Sequence, residues 1–285
     1  MKHKINHLIE LFIKYLIELI QLSKIGRYLL DKIYNRISNI SYQIKYKGID
    51  LKFSTPNNLC LWRAKTFSNK EPETLDWIDN FQQNSVFWDI GANVGLYSVY
   101  AAKKCNSSVY AFEPSVLNLE TLARNINLNY LVNKVCIIPF PLNDSLGFSK
   151  MKLTSFDLGG ALSTFDKDFG WDGNPLNNVV LEYLTIGLSM EDALSLLKIP
   201  QPSYIKIDVD GLEHFILKGG GMILKNAKQI LIEINDSFSE QSEKCSFLLN
   251  DFGFILDKKC HSDMINKLDN EFKGSFNQIW INQSV

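Results

Sequence analysis

Seven residues, Asp89-Ile90-Gly91-Ala92-Asn93-Val94-Gly95, join an apolar run, Val86–Ile90, to a segment of helical pattern, Val94–Lys103. Their types and spacing suit the binding of a nucleoside-bearing cofactor. Gly91 lets the chain turn sharply where a strand ends, and Gly95 lets the following helix come close. The start of that helix presents backbone N–H groups that have no partner within the helix. Asp89, Gly91, Ala92, Asn93 and Gly95 are therefore the first candidate cofactor contacts. A second acid, Glu113, closes the next apolar run, Val109–Glu113, eighteen residues past Gly95. There, with Pro114 beside it, it can accept hydrogen bonds from both ribose hydroxyls of an adenosine. The competing reading is a helix cap, because Glu113-Pro114-Ser115 also reads as a helix entry. On the ligand reading, Glu113→Ala weakens cofactor binding and leaves fold stability nearly unchanged.

Nicotinamide cofactors use the same sheet edge and the same acid. Their fingerprint places a second glycine where the pyrophosphate must approach the backbone. Here that position is Asn93, and Asp89 adds negative charge beside it. A diphosphate is repelled, whereas the amino group of a methionine moiety is attracted. The expected cofactor is S-adenosylmethionine.

More acids stand further along. Tyr204-Ile205-Lys206-Ile207 reads as a buried strand, Asp208 is the first acid at its carboxyl end, and Asp210, Glu213 and His214 follow. Glu233 sits near the end of another apolar run, Gln229–Ile234. Asn143 and Asp144 follow the strand Val135–Pro139, where a side chain can reach the adenine amine or simply form an Asn-Asp turn. Asp208 and Asp210 are two apart, so on a continuing strand they point to opposite faces. With no further cluster of oxygen ligands, no metal site is expected.

These residues need a scaffold. Strand, helix, strand, helix, strand from Val86 to Pro139 describes βαβ units and a parallel sheet. The fold class expected is α/β, a doubly wound Rossmann-like sheet of the class I methyltransferase kind with an N-terminal helical extension. Residues 1–45 read as that extension. Residues 46–84 read as a lead-in, with short strands from Tyr46 to Arg63, a turn at Thr55-Pro56-Asn57-Asn58 and a helix over Glu71–Phe81. Residues 85–285 form the main domain. Its alternation breaks over residues 147–184, an insertion of hairpin or loop character. Phe156, Phe165, Phe169 and Trp171 suit it to an acceptor pocket that moves on closure, or else to a hairpin covering the core.

Three stretches carry a resemblance. Asp89 to Ser98, then Phe112-Glu113-Pro114-Ser115 with Asn118, then Ile205 to Glu213 look like the signature stretches of FkbM-type methyltransferases; Leu217-Lys218-Gly219-Gly220 and Leu231-Ile232-Glu233-Ile234 also fit. The resemblance covers about residues 85–282. It implies methyl transfer from S-adenosylmethionine, usually to oxygen, often on sugars of surface polysaccharides or on secondary metabolites. Members commonly have Glu where this chain has Asp210, whose shorter side chain retracts the charge.

Transfer to a hydroxyl requires in-line alignment, which can contribute roughly 7–11 kcal/mol, and a group to take the proton. Asp208 is the first candidate, with Glu213, His214 and Glu233 behind it. Glu213 is also explained by the helix dipole, and His214 by simple packing. On this reading Asp208→Asn leaves the fold intact and lowers turnover. The competing functions are a nicotinamide-dependent oxidoreductase and a non-catalytic binding protein on the same sheet.

A formal net charge of −1 over 285 residues gives no global pull toward nucleic acid, so the partner expected is a small-molecule or glycan acceptor. Five cysteines without CxxC spacing suggest reduced thiols and a cytoplasmic location. Between Ile5 and Leu22, His7, Glu10, Lys14, Glu18 and Gln21 make one polar stripe on an otherwise apolar helix. That helix is expected to pack on the domain or on a second copy, or to lie on a membrane surface.

Overall fold

The computed structural model describes residues 2–261 and 271–285. Two helices, α1 (Lys2–Ile20) and α2 (Lys24–Ser38), lead into an antiparallel ribbon of β1 (Ser41–Tyr46) and β2 (Ile49–Ser54). The strands expected as far as Arg63 end at Ser54. The Asn57 side chain accepts the Cys60 N–H at 2.8 Å and starts a helix, α3 (Asn58–Lys65), so the turn expected among strands at Thr55–Asn58 is a helix entry. A short α4 (Phe67–Lys70) and α5 (Pro72–Asp79), with proline in its first turn, complete the lead-in.

The main sheet follows by alternation: β3 (Val86–Ile90), α6 (Leu96–Cys105), β4 (Ser108–Phe112), α7 (Val116–Leu128) and β5 (Val135–Ile138). An antiparallel sheet of β6 (Gly147–Leu153), β7 (Thr164–Phe165) and β8 (Leu181–Gly187) then interrupts it, in the order β7-β6-β8. Beyond it come α8 (Met190–Leu197), β9 (Tyr204–Ile207), α9 (Glu213–Lys218), α10 (Gly221–Asn226), β10 (Gln229–Asn235), α11 (Ser239–Asp251), β11 (Phe254–Cys260) and β12 (Ser275–Asn282).

Among the described residues, seven strands pair in the order β11-β12-β10-β9-β3-β4-β5. The run from β10 to β5 is parallel, whereas β12 is antiparallel to both its neighbours. Alternate side chains of the central strands feed two apolar layers. Phe87, Val109, Ala111 and Tyr204 join the layer with α5 and α6, and Trp88, Ile90, Ile205 and Ile207 join the opposite one.

The chain leaves β3 toward β4 and β5 but returns on the other flank at β9. The carboxyl ends of β3 and β9 therefore border a topological switch point, where a crevice opens. The turn after β3 presses against the end of β9: Gly91 has φ of 84°, and a Cβ there would lie 1.8 Å from the Asp208 carbonyl oxygen. Backbone against backbone leaves no flexible side chain to give way. Gly91→Ala is expected to destabilise the protein by about 3 kcal/mol or more, from positive φ and overpacking together. Urea unfolding measures this; a loss of under ~0.5 kcal/mol, the size of an ordinary surface change, would contradict the close approach.

Candidate active site

A cavity of about 410 Å³ opens at the carboxyl ends of β3, β4, β9 and β10. Gly91, Asn93, Glu113, Pro114, Asp208 and Glu233 supply its floor. Trp62, Arg63 and Lys70 form one wall, and Ala161, Leu162 and Trp171 of the inserted segment another. A side pocket of about 50 Å³ lies against the glycine turn, lined in part by Ala92, Tyr97 and Lys206. Another, of about 40 Å³, lies between Phe112, Phe140 and Leu142.

The electrostatics centre on a lysine inside the core. Lys206 is 1% exposed, stands beside Asp89 in the β3–β9 register, and places Nζ 2.5 Å from Asp208 Oδ2. The same ammonium lies 5.3 Å from the centroid of the Tyr97 ring. Burial disfavours the ammonium, but Asp208, Glu71 and Asp89 outweigh it and hold Lys206 well above its ordinary value. Burial likewise opposes the Asp208 carboxylate, but Lys206 wins and holds it well below the ordinary range. Glu233 goes the other way. Burial and the adjacent Asp208 charge keep it protonated, hydrogen-bonded to Asp208.

Several expected roles change in this setting. Asp89 turns into the α6 layer, accepting the Ser98 hydroxyl at 2.5 Å, and does not line the cavity; Lys206 balances its charge. Negative charge at the cavity comes instead from Asp208 and Asp210. Glu113 does line the cavity, but it also accepts the Asn93 N–H at 2.8 Å and the Ser115 N–H at 2.7 Å. The capping reading holds, the cavity position leaves the ligand reading open to Glu113, and its loss is expected to cost stability. Burial pushes Glu113 up to about 7. Gly95 has φ of 78° and lets Leu122 approach to 2.3 Å from where a Cβ would be.

Glu213 lines the cavity but is committed to backbone. It accepts Val209 N–H at 3.1 Å, Gly211 N–H at 3.1 Å and the Gln241 amide, which fastens the loop after β9. His214 is buried at the ring of Phe215, outside the cavity lining, with both nitrogens unpartnered; burial pushes it down to about 4. It is no base for this site. Asn143 and Asp144 also miss the cavities. Asn143 N–H donates to the Leu188 carbonyl, and Asp144 pairs with Lys218 at 2.8 Å. The slot beyond β5 is lined two or three residues earlier, by Phe140, Pro141 and Leu142.

The insertion is stapled down. Asn57 Nδ2 and Cys60 Sγ donate to the Leu158 carbonyl, and Arg63 Nε donates to that of Gly159 at 2.8 Å. Asn93 Nδ2 and Asn118 Nδ2 share the Gly160 carbonyl, at 2.7 and 3.1 Å. These contacts hold the loop against α3 and the glycine turn as a wall of the cavity. Phe165 is buried beneath it, Phe169 packs on Phe238, and Phe156 faces solvent, so of the four aromatics only Trp171 lines the cavity.

Sequence reasoning gave no role to Lys206, Arg63, Lys70 or Glu71. Lys206 had a signal, a cation in the middle of an apolar four-residue strand. Arg63 and Lys70 lie on helices distant in sequence, Glu71 on the link between α4 and α5, and none carried a signal.

Residues 89–263 match the family described as the methyltransferase FkbM domain. The chain belongs to that family. It is 22% identical to the hexuronic acid methyltransferase AglP of Haloferax volcanii, over 66% of this chain and 72% of the relative. It is 28% identical to the methyltransferase sdnD of Sordaria araneosa, over 50% of this chain and 62% of the relative. A solved structure of M. jannaschii TYW2 in complex with AdoMet aligns at 16% identity and a TM-score of 0.42, covering 84% of both chains.

The cofactor of this methyltransferase is S-adenosylmethionine, and the residues present fit it. The acid at the end of β4 offers carboxylate to ribose, and the Phe112–Leu142 slot is apolar enough for a base. The wide, anionic floor suits a sulfonium and an ammonium.

Two outcomes follow from these contacts. Removing the Asp208 charge strands a buried ammonium, so Asp208→Asn is expected to cost about 3 kcal/mol in urea unfolding, against the sequence expectation of an intact fold; no change would mean the pair is not formed. The second concerns pH. Glu113 is raised from 4.5 to about 7, so the folded chain holds a proton that the unfolded chain releases. Its contribution is full below pH 4.5 and is lost as pH rises to about 7. Unfolding of the ligand-free protein across this window should show stability declining, and Glu113→Gln should make the decline shallower, with Asp210 and Glu213, raised to about 6 and about 7, carrying the rest.

Proposed function

We infer that the protein methylates a hydroxyl of a sugar or related metabolite that carries an acidic group. The observation that supports this most is Arg63. It lines the cavity with only its Nε bonded, to the Gly159 carbonyl, and has no carboxylate within ion-pair distance among the described residues. A planar guanidinium so placed suits bidentate capture of a carboxylate or phosphate. Trp62 on the same wall and Trp171 on the other suit the apolar face of a sugar ring. The hexuronic acid named for the Haloferax volcanii relative is an acceptor of this chemical class. Five free thiols suit a reducing compartment, the cytoplasm.

S-adenosylmethionine, when bound, supplies an electrophilic methyl group on a good leaving group. The chain does the rest. Glu113 holds the ribose hydroxyls, and the Phe112–Leu142 slot flanks the base. Asp210 is the proton acceptor in this reading. Its backbone is in the left-handed region at φ of 61°, and the Leu162 N–H donates to its Oδ2 at 2.7 Å. Burial and the Asp208 charge push it up to about 6, close to a working pH, whereas Asp208 is too weakly basic beside Lys206. Asp208 and the protonated Glu233 fix the polar floor.

Asp210→Asn should lower kcat by about 10²–10⁴-fold while S-adenosylmethionine binds within tenfold by calorimetry. Unchanged single-turnover rates would move the base elsewhere. Arg63→Gln should raise KM for a uronate-bearing acceptor at least about tenfold, the value of one lost charge-assisted hydrogen bond, without weakening S-adenosylmethionine. If cofactor affinity falls instead, and 5′-methylthioadenosine binding does not, Arg63 serves the methionine carboxylate and the anionic-acceptor reading fails.

A further inference from the structure

The least protein-like surface of the molecule is its first forty residues. Along α1, Leu8, Phe12, Tyr15 and Leu19 are 64–68% exposed, and on α2 Ile25 is 75% exposed. Across both helices the described side chains are exposed, apart from the half-buried Leu11, Ile20 and Leu30 and the buried Gly26 and Ser38. A contiguous apolar surface of this size on a folded chain marks an interaction site. Nor is it a loose tail. The Ser23 side chain caps α2 by accepting the Gly26 N–H at 2.8 Å, and a Cβ on Gly26 would stand 1.7 Å from the Ile20 carbonyl oxygen. Glycine at this contact sets the bend between the helices.

The charge on the same segment says what covers it. Residues 1–40 carry seven Lys and Arg against three Asp and Glu, while the remaining 245 carry 23 against 28. The excess is positive on the hairpin and negative on the catalytic domain. On α2, Ile25, Leu29, Lys32 and Arg36 follow at steps of four, three and four, so two cations share a stripe with exposed apolar groups. Lys32 Nζ lies 5.1 Å from the Tyr28 ring centroid. A second copy of the hairpin would bring like charges together. An anionic lipid surface accepts both features, with apolar groups below the headgroups and long cations reaching up to them. Among the described residues no helix is long and apolar enough to cross a membrane.

We propose that the α1–α2 hairpin is a monotopic anchor that lays the enzyme on an anionic membrane surface. The acidic domain then stands off the lipid, joined to the anchor by the turn at Asn39–Ile40.

Co-sedimentation of the full chain with vesicles tests this, using phosphatidylcholine alone or with about a third phosphatidylglycerol. The expected result is binding several-fold stronger to the anionic vesicles and weakened by high salt, as for attraction screened over about 10 Å. Phe12→Glu with Leu16→Glu should abolish pelleting, and Lys32→Glu with Arg36→Glu should remove the preference for anionic lipid. Both double variants should retain S-adenosylmethionine affinity, which shows that the domain is folded. No pelleting, pelleting indifferent to these variants, or a stable dimer that Phe12→Glu and Leu16→Glu convert to monomers without any vesicle binding would each overturn the proposal.

Discussion

A lysine ammonium sealed in a sheet is costly unless acids surround it, and the site depends on how Lys206 meets that requirement. It sits between Asp89 on the neighbouring strand, Asp208 two residues on, and Glu71 from the helical lead-in. Each acid is stabilised by the same cation. Without it, Asp89 and Asp208 would repel across the β3–β9 edge, where Gly91 also lets the backbones approach closely. With it, negative charge can gather at the crevice and be sorted. Asp208 stays ionised, Glu233 stays protonated, and Asp210 rises to about 6. Environment gives three carboxyls three different protonation tasks.

The walls are built differently from the floor. The floor comes from strand ends, whose positions are fixed by sheet register and two apolar layers. The walls come from α3, α4 and the inserted sheet, which meet around the carbonyls of Leu158, Gly159 and Gly160. Asn118 completes this junction. Buried in α7, it accepts the Gly159 N–H and donates to the Gly160 carbonyl. Segments nearly a hundred residues apart are thus joined by polar contacts to backbone, and the opening toward the acceptor is set by hydrogen bonds more than by packing.

This division matches the division of labour in a transferase of this fold. The part that holds the cofactor is made from the family's shared stretches. Arg63 and Trp62, on the wall proposed to meet the acceptor, lie before the matched residues 89–263. The N-terminal hairpin is a third layer, with few buried groups of its own and a surface suited to something outside the chain.

The alternation of strand and helix, the glycine turn and the acid after β4 were legible in the sequence. They follow from local rules of periodicity, turn conformation and strand-end placement, and local rules operate within a few residues. The N-terminal polar stripe was legible for the same reason. What failed were readings that required knowing which way a side chain turns or what lies across from it. Asp89 was read as facing the ligand, yet register pairs it with Lys206. Thr55–Asn58 was read as a turn among short strands, yet Asn57 caps a helix. Asp208 was read as a base or an aligning acid; it does line the cavity, but a lysine two residues earlier, whose burial only the sheet imposes, lowers its basicity. Asn143, Asp144 and His214 were assigned by proximity in sequence and were turned away by packing. A pattern of residue types specifies where strands end; the dielectric and the partners of each carboxyl at those ends are properties of the assembled core, and the chemistry of this site was decided there.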